Sequence, residues 1–559
     1  MKSKRIIALV TAMLTAASLA SCNSSSGTPQ SSAPNSSTPQ SSEPSSSGGS
    51  ESSSAPGAGS GPVSGDPITL RVLARTPSFY PNQDFGQVGN MMAYEEMTNI
   101  HIEWENVDPG VFNNTLAAAI ASDTLPDVIL KGSISNTNLS DWGSQGILVD
   151  LSGYIDEYAP NFKKLMDEND GIAQAITSPE GGIYGLPQVI LSPAMRAPTK
   201  LYINKKALAA AEVELPKTMD EFYDMLVAMR DADYNGNGQK DEIPFIAGSS
   251  FYTGFHGSFG LRTRGAHHDI VDADPETHEV RIFAATENYR KFLEFMAKMY
   301  QNGVVYPEIF TEGVKNVSVL AAEQKLGVIM DTTLYNVPTE YVDDWEGLKL
   351  WPAGPDGYDI ASNVRSVLHS VGNFAITADC EYPERALQWA DYFYSEEGSL
   401  FYHAGVEGVN WEKKSDGTLG YTDETQATRT AEMTQDSFIA QFAMWPGGRN
   451  PAVMLDNLWG GEYEAEPAAT ASALLDYASD TIWPFFAWTD EENEVIGTIH
   501  DDIKSYITSS TAQIVAGEVQ LTDEWWNSFV AQIESMDADK VIDAYTSALT
   551  RVYGDSSKF

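Results

Sequence analysis

The stretch from Ile68 to Gly132 switches back and forth between two periodicities, and this alternation restricts the possible folds more than any other feature of the chain. "ITLRVLA" (Ile68 to Ala74) and "IHIEWENV" (Ile100 to Val107) read as strands, and "DVILKG" (Asp127 to Gly132) reads as a short strand buried on both faces. Between them "VGNMMAYEEMTN" and "VFNNTLAAAIASD" read as helices. Strand, helix, strand at this spacing is the unit of a parallel α/β sheet. Ligands on such sheets sit beyond the carboxyl ends of the strands. That points to the loop with Phe79 and Tyr80 and to the one with Lys131 and Ser133.

Past Gly181 the pattern changes. "GGIYGLPQVILSPAMRAPTKLYINKKALAAAEV" reads as short extended pieces followed by helix. "TMDEFYDMLVAMRDADY" reads as an amphipathic helix that Thr218 can cap, since a Thr hydroxyl accepts from the free amides of a first turn. A second α/β lobe is expected to begin here. The segment 67–559 is too long for one hydrophobic core, and no solenoid or propeller period runs through it.

Upstream of this head, no segment can build a core. Lys2, Lys4 and Arg5 precede an apolar run from Ile6 to about Ala20, shorter than the roughly twenty residues of a membrane span and suited to a signal peptide. Leu19-Ala20-Ser21-Cys22 resembles a bacterial lipobox, so residues 1–21 are expected to be removed and Cys22 to become a lipidated N-terminus. Two or more acyl chains would anchor it stably. The alternative is ordinary secretion with a chance Cys. Asn23 to Asp66 is almost entirely Ser, Pro, Gly, Asn, Gln and Thr, which makes 22–66 a lipidated tether with a reach on the order of 35 to 40 Å. Such an anchor holds the head at the extracellular face of a cell membrane and fits a Gram-positive surface.

Charge narrows the partners. The formal net charge is -44, and losing the three basic residues of the signal segment makes the remainder more negative still. Nucleic acid and anionic membrane surfaces are excluded as partners, leaving the lipid anchor as the only membrane contact. A neutral ligand suits this field better than a polyanion. Cys22 and Cys380 are the only cysteines, so no disulfide framework exists in the head, and Cys380 reads as a packed thiol.

"RDADYNGNGQKDEIPF" (Arg230 to Phe245) packs oxygen donors at alternate positions around glycines, a pattern that suits calcium. Two registers compete. Counting from Asp231 gives D-x-D-x-N-G-x5-E, closed by Glu242 at the twelfth place; counting from Asp233 puts Gly238 at the turn, Asp241 ninth and Pro244 twelfth. An Asx-rich surface turn is the alternative to either. One such loop without a partner argues against a calcium sensor.

Aromatic rings and polar groups clustered in loops are the sequence sign of a ligand site, the rings offering apolar faces and carboxylates, amides and Arg offering hydrogen bonds. The candidate ligand contacts are Tyr80, Trp142, Tyr252, Tyr335, Trp411, Trp445 and Trp483, with Trp488 beside the last, and Asp331 just past the strand "LGVIM". Pro446-Gly447-Gly448 favours Trp445 on an exposed turn. Trp525 and Trp526 fall on a predicted helix and read as core. The His267-His268-Asp269 stretch lacks the companion cluster a transition metal needs. No G-x-S-x-G, H-E-x-x-H or Walker motif is present.

Several stretches taken in order resemble the extracellular solute-binding lipoproteins of carbohydrate ABC importers (family 1), especially the long branch with the alginate-oligosaccharide-binding proteins. They are "LYINKKALAAAEVELPKTMDEFYDMLVAMRDADYNGNGQKDEIPF", "KLGVIMDTTLYN", "ITADCEYPERALQWADYFYSEEG", "GVEGVNWEKKSDGTLGYT" and the tail from "FAWTDEENEV" to "NSFVAQI". The resemblance implies an α/β, two-lobe periplasmic-binding-protein-like II fold with crossing hinge segments and a C-terminal helical part. It implies lobe 1 over 67–196 plus about 332–383, and lobe 2 over 197–331 plus about 384–559. It also implies no catalysis: a monomer that closes on an oligosaccharide and delivers it to permease subunits. Finally, it implies a structural Ca2+ in the second register, held by Asp233, Asn235, Asn237, Gln239 through its carbonyl, Asp241 and Glu242, with Asp231 a bystander. An anchored glycan-binding adhesin and, less favoured, a surface glycoside hydrolase are the alternatives.

Overall fold

The computed structural model describes residues 62, 64–248, 250–311, 313–430, 433–555 and 559. The expected signal segment, Cys22 with its expected lipidation, and all but the last residues of the expected tether lie outside the described residues. The described strands, in chain order, are β1 (Ile68–Arg75), β2 (Ile100–Val107), β3 (Val128–Leu130), β4 (Leu186–Ile190), β5 (Lys200–Asn204), β6 (Ile243–Ala247), β7 (Val271–Ala273), β8 (Val280–Ile282), β9 (Leu326–Asp331), β10 (Trp345–Gly347), β11 (Leu368–Ile376), β12 (Trp411–Lys413), β13 (Leu419–Tyr421) and β14 (Val453–Met454).

The first sheet runs β14-β4-β11-β3-β1-β2. β1 lies parallel to both β2 and β3, with Val72 opposite Trp104 on one side and Val128 on the other. The crossover helices Gly89–Thr98 and Phe112–Ala121 stand where the sequence predicts them. The period of two decides the packing. Leu70, Val72, Ala74, Val128, Leu130, Phe374 and Ile376 enter one core, whereas Leu73, Ile129 and Ala375 point to the other face against Phe112 and Leu116. β3 is therefore buried on both faces, which is why its sequence is continuously apolar.

The second sheet runs β10-β5-β9-β6, with β6 parallel and β5 antiparallel to β9. Helix Met219–Asp231 begins with a capping box: Thr218 Oγ1 accepts from Glu221 N at 3.1 Å, and Glu221 Oε2 accepts from Thr218 N at 3.2 Å. Its apolar face (Phe222, Met225, Leu226, Met229) shares one core with the C-terminal helices Asp501–Val515, Asp523–Ser535 and Ala538–Tyr553. Burying one such side chain contributes about 1.5–3 kcal/mol. Trp526 is in this core, with Nε1 donating to Glu287 Oε1 at 3.0 Å, and Trp525 packs half-buried against it.

The chain passes between the sheets at 191–199, 348–367 and 455–464. The first two passages are zipped together: Ile190 N donates to Val367 O at 2.7 Å and Arg365 N to Arg196 O at 2.8 Å. Two parts of the expected lobe division differ from this arrangement. β10 falls in the stretch 332–383 expected with the first lobe, yet it pairs with β5 of the second sheet. Helices Pro383–Asp391, all but its first residue, and Glu396–Ala404 fall in the stretch from about 384 expected with the second lobe, yet they pack in the first core, and β14 pairs with β4. The physical reason is that periodicity reports how a strand is buried and not which neighbour buries it. A two-residue return such as β14 has no periodicity to read.

Candidate functional site

The third passage and the loop after β9 face each other across a cavity of about 200 Å³. Thr332 and Tyr335 come from the second-sheet side. His403 from helix Glu396–Ala404, Tyr421 from β13, Asp436 from helix Gln435–Ile439, and Trp445 come from the first-sheet side. Trp459, Glu462 and Tyr463 belong to the third passage itself. A larger cavity of about 520 Å³ adjoins at Thr332 and is lined by Asp331, Thr199, His267, Asn363, Arg365 and His369. Aromatic rings, carboxylates and the guanidiniums of Arg262 and Arg365 thus line two cavities that meet at Thr332 and draw on both sheets and all three passages.

The walls are fixed from behind. Lys131 Nζ donates to the carbonyls of Met444 (2.8 Å) and Pro446 (3.1 Å), on either side of Trp445, and Tyr80 Oη, with one proton to give, stands 2.8 Å from both. Lys200 Nζ and Tyr202 Oη both donate to Thr332 O at 3.0 Å. Burial, with Glu462 adding to it, raises the Asp331 and Asp436 carboxyls above the ordinary carboxylate range. Burial lowers the Lys200 ammonium to about 8 and the Lys131 ammonium well below its usual value.

Of the residues expected at a ligand site, Tyr335 and Trp445 line the smaller cavity and Asp331 the larger. Tyr335 is 50% exposed, unusual for a large aromatic without a partner to cover it. The other candidates are not at either cavity. Tyr80 is buried beneath the Trp445 loop as one of its supports. Trp142 packs on the outer face of the first sheet, and Tyr252 stacks on Phe310 at 6.0 Å. Trp411 is buried against Trp459, its Nε1 donating to Gly405 O. Trp483 is fully buried in the second core, with Trp488 beside it. Each obeys the tendency of large aromatics to pack unless the backbone holds them out. His268 is packed as well, its Nε2 donating to Pro484 O at 2.9 Å, whereas His267, at the wall of the larger cavity, accepts through Nε2 from Ser366 N at 3.2 Å. Asp436, His403, Arg365 and Glu462 were not singled out by sequence. The signal for Glu462 was available: Trp459-Gly460-Gly461 repeats the aromatic-plus-glycines turn that marked Trp445.

The 233–242 loop closes on itself through side-chain oxygens. Asp233 accepts from the amides of Asn237 (3.0 Å) and Gly238 (2.9 Å), Asn235 Oδ1 from Asn237 N (3.0 Å), and Asn237 Oδ1 from Gln239 N (2.7 Å). Gly236 and Gly238 hold φ of +72° and +74°, a conformation glycine adopts without strain. Asp231 points away, paired with Arg230 at 3.1 Å. Among the described residues no three acidic, His or Cys side chains are drawn together as a metal cluster, and Asp241 pairs with Lys325 at 3.0 Å. One atom fits a cation nonetheless: Glu242 Oε1 is buried without a hydrogen-bond partner. Burial first, then the charges of Asp241 and Asp233, raise this carboxyl. A buried carboxylate oxygen left unpaired among five further oxygen-bearing residues is the observation that favours a bound cation.

The family model "Bacterial extracellular solute-binding protein" matches residues 83–399. The chain is 26% identical over 491 residues to the fructooligosaccharide ABC transporter substrate-binding protein FusA of Streptococcus pneumoniae, covering 83% of this chain and 87% of that one. Among solved structures, the FusA EF-hand mutant in complex with fructo-nystose superposes with a TM-score of 0.70 at 22% identity, covering 87% of this chain and 100% of that one. The alginate-binding protein AlgQ2 without calcium ion superposes at 0.68 with 18% identity, covering 86% and 98%. The fold is thus the α/β two-lobe architecture of periplasmic binding proteins. With more than half of its length inside the family match, the chain belongs to the bacterial extracellular solute-binding proteins and is a binding protein, not an enzyme.

Proposed function

We propose that this chain is the substrate-binding lipoprotein of an ABC importer, anchored through Cys22, which captures a neutral oligosaccharide between its lobes and delivers it to a membrane permease. The observation that carries the reading is that Tyr335 and Trp445, on loops belonging to different sheets, line one cavity. A ligand shifts an open–closed equilibrium only by its differential affinity for the two states, so contacts to both lobes at once are what closure needs. The likeness to FusA, a fructooligosaccharide-binding protein, supports the oligosaccharide class. Asp331, Asp436 and Glu462 around the cavities support neutrality, because a uronate would bring its charge against them.

A structural Ca2+ held by Asp233, Asn235, Asn237, Gln239, Asp241 and Glu242 belongs to the same reading. The orphaned Glu242 oxygen and the outward-facing Asp231 support the register that begins at Asp233. When bound, the cation would offset two of the three negative charges that Asp233, Asp241 and Glu242 bring together after helix Met219–Asp231. The test is a calorimetric screen of the soluble head with kestose and with a galacturonate oligomer of similar length. Kestose should bind and the galacturonate should not. Sustained glycan turnover, or preference for the uronate, sinks the reading.

A further inference from the structure

Each lobe grips its cavity-lining loop with a buried lysine and tyrosine. Lys131 Nζ donates to Met444 O (2.8 Å), Pro446 O (3.1 Å) and Asn450 Oδ1 (2.7 Å), while Tyr80 Oη lies 2.8 Å from the same two carbonyls. Asn450 Nδ2 in turn donates to the carbonyl of Trp445 itself, at 3.2 Å. Three consecutive carbonyls around that ring are therefore held. On the facing loop, Lys200 Nζ and Tyr202 Oη converge on Thr332 O, three residues before Tyr335. Lys200 and Tyr202 are two apart on β5 and so project to the same face.

Both lysine side chains are fully buried, and none of these hydrogen bonds goes to a carboxylate. A buried ammonium is costly even when its protons are all bonded, and an apolar side chain of similar volume commonly serves stability better. Lys131 also holds φ +58°, an unfavourable conformation for a residue with a β-carbon. Stability alone thus gives a poor account of two such lysines. What they do achieve is to fix loop carbonyls that have no sheet partner, on the two loops that carry Trp445 and Tyr335.

We infer that Lys131 and Lys200 are positioning residues that hold Trp445 and Tyr335 as two pre-formed walls of the ligand cavity. Ordering these loops in advance removes an entropic cost that a ligand would otherwise meet on binding. The inference rests on the reading of the cavity as the ligand site, but its first test does not. In the full head labelled with 5-fluorotryptophan, the Trp445 resonance is assigned with Trp445→Phe. Lys131→Met should broaden or split that resonance in the absence of ligand while leaving those of the buried Trp483 and Trp526 in place. If Lys131→Met does not fold, Tyr80→Phe removes the other arm of the same grip and is read in the same way. An unchanged Trp445 resonance overturns the inference.

The second test is a pair of double-mutant cycles read by titration with kestose. Lys131→Met should weaken binding about tenfold or more alone and add nothing in a Trp445→Ala background; Lys200→Met should behave likewise against Tyr335→Ala. A merely structural role lowers the melting temperature equally in both backgrounds but does not cancel in affinity. Full additivity in affinity overturns the inference. If the wild-type head binds no oligosaccharide the functional reading fails, and the fluorine experiment still decides the positioning claim.

Discussion

Tyr335 leans on Gly461: a β-carbon built on Gly461 would collide with Tyr335 Oη, and the glycine holds φ +60°. The tyrosine belongs to the loop after β9, the glycine to the third passage between the sheets. One wall of the cavity is therefore braced directly on the hinge, so a change in the passage is transmitted to the ring that lines the site.

Gly461→Ala should displace Tyr335 and weaken oligosaccharide binding about tenfold, equivalent to about 1.4 kcal/mol. Backbone strain at this φ costs roughly 1–2 kcal/mol, so a fall of a few degrees in melting temperature is expected beside it. Titration of Gly461→Ala against wild type checks this. Undiminished affinity would mean that Tyr335 does not contact the ligand.

Removing calcium should act on stability and spare binding. A cation held at a hundred times its dissociation constant stabilises by about 2.7 kcal/mol. EDTA is therefore expected to lower the melting temperature by several degrees while leaving ligand affinity within twofold. Asp233→Ala should reproduce the loss, whereas Asp231→Ala should not, because Asp231 faces outward to Arg230. Differential scanning calorimetry with and without chelator decides it; loss of binding at unchanged stability would put the metal at the cavity.

His403 carries a pH prediction. It is buried, donates through Nδ1 to Ser399 O at 2.7 Å, and stands 5.5 Å edge-on from Trp445. Burial pushes its pKa down to about 4, against the bond to Ser399 and together with the nearby Lys131 charge. A base whose folded pKa lies below its unfolded value binds fewer protons when folded, so stability rises with pH between the two values. The contribution is complete above about pH 6.5 and is lost as pH falls toward 4, on the order of 3 kcal/mol in all. Urea unfolding across that range should show a shallower pH dependence for His403→Gln than for wild type. An equal or steeper slope contradicts the assignment.

Strand and helix positions up to Gly132 were legible because a half-buried or fully buried sheet prints its period directly into the residues, as Leu70, Val72 and Ala74 do against Leu73. The capping of helix Met219–Asp231 was legible for a similar reason, since Thr218 and Glu221 satisfy local amides. The lobe membership of 383–404 was not, because Trp389 and Phe393 would look the same in either core. Aromatics divide likewise. Trp445 could be picked out by the glycines that hold it off the core, whereas Trp411 and Trp483 offered the same residue type with no backbone signal to tell wall from core. Lys131 stood at the strand end the topology favours, but its partners, more than 300 positions away at Met444 and Pro446, leave no trace in local sequence.

The central claim is that both lobes grip one ligand through Trp445 and Tyr335. Isothermal titration of kestose into wild type, Trp445→Ala and Tyr335→Ala measures it most directly. Each substitution is expected to weaken binding at least thirtyfold, about 2 kcal/mol, with the melting temperature of the ligand-free head nearly unchanged. Wild-type affinity in either variant would show that the ligand is held by one lobe alone and would contradict the account.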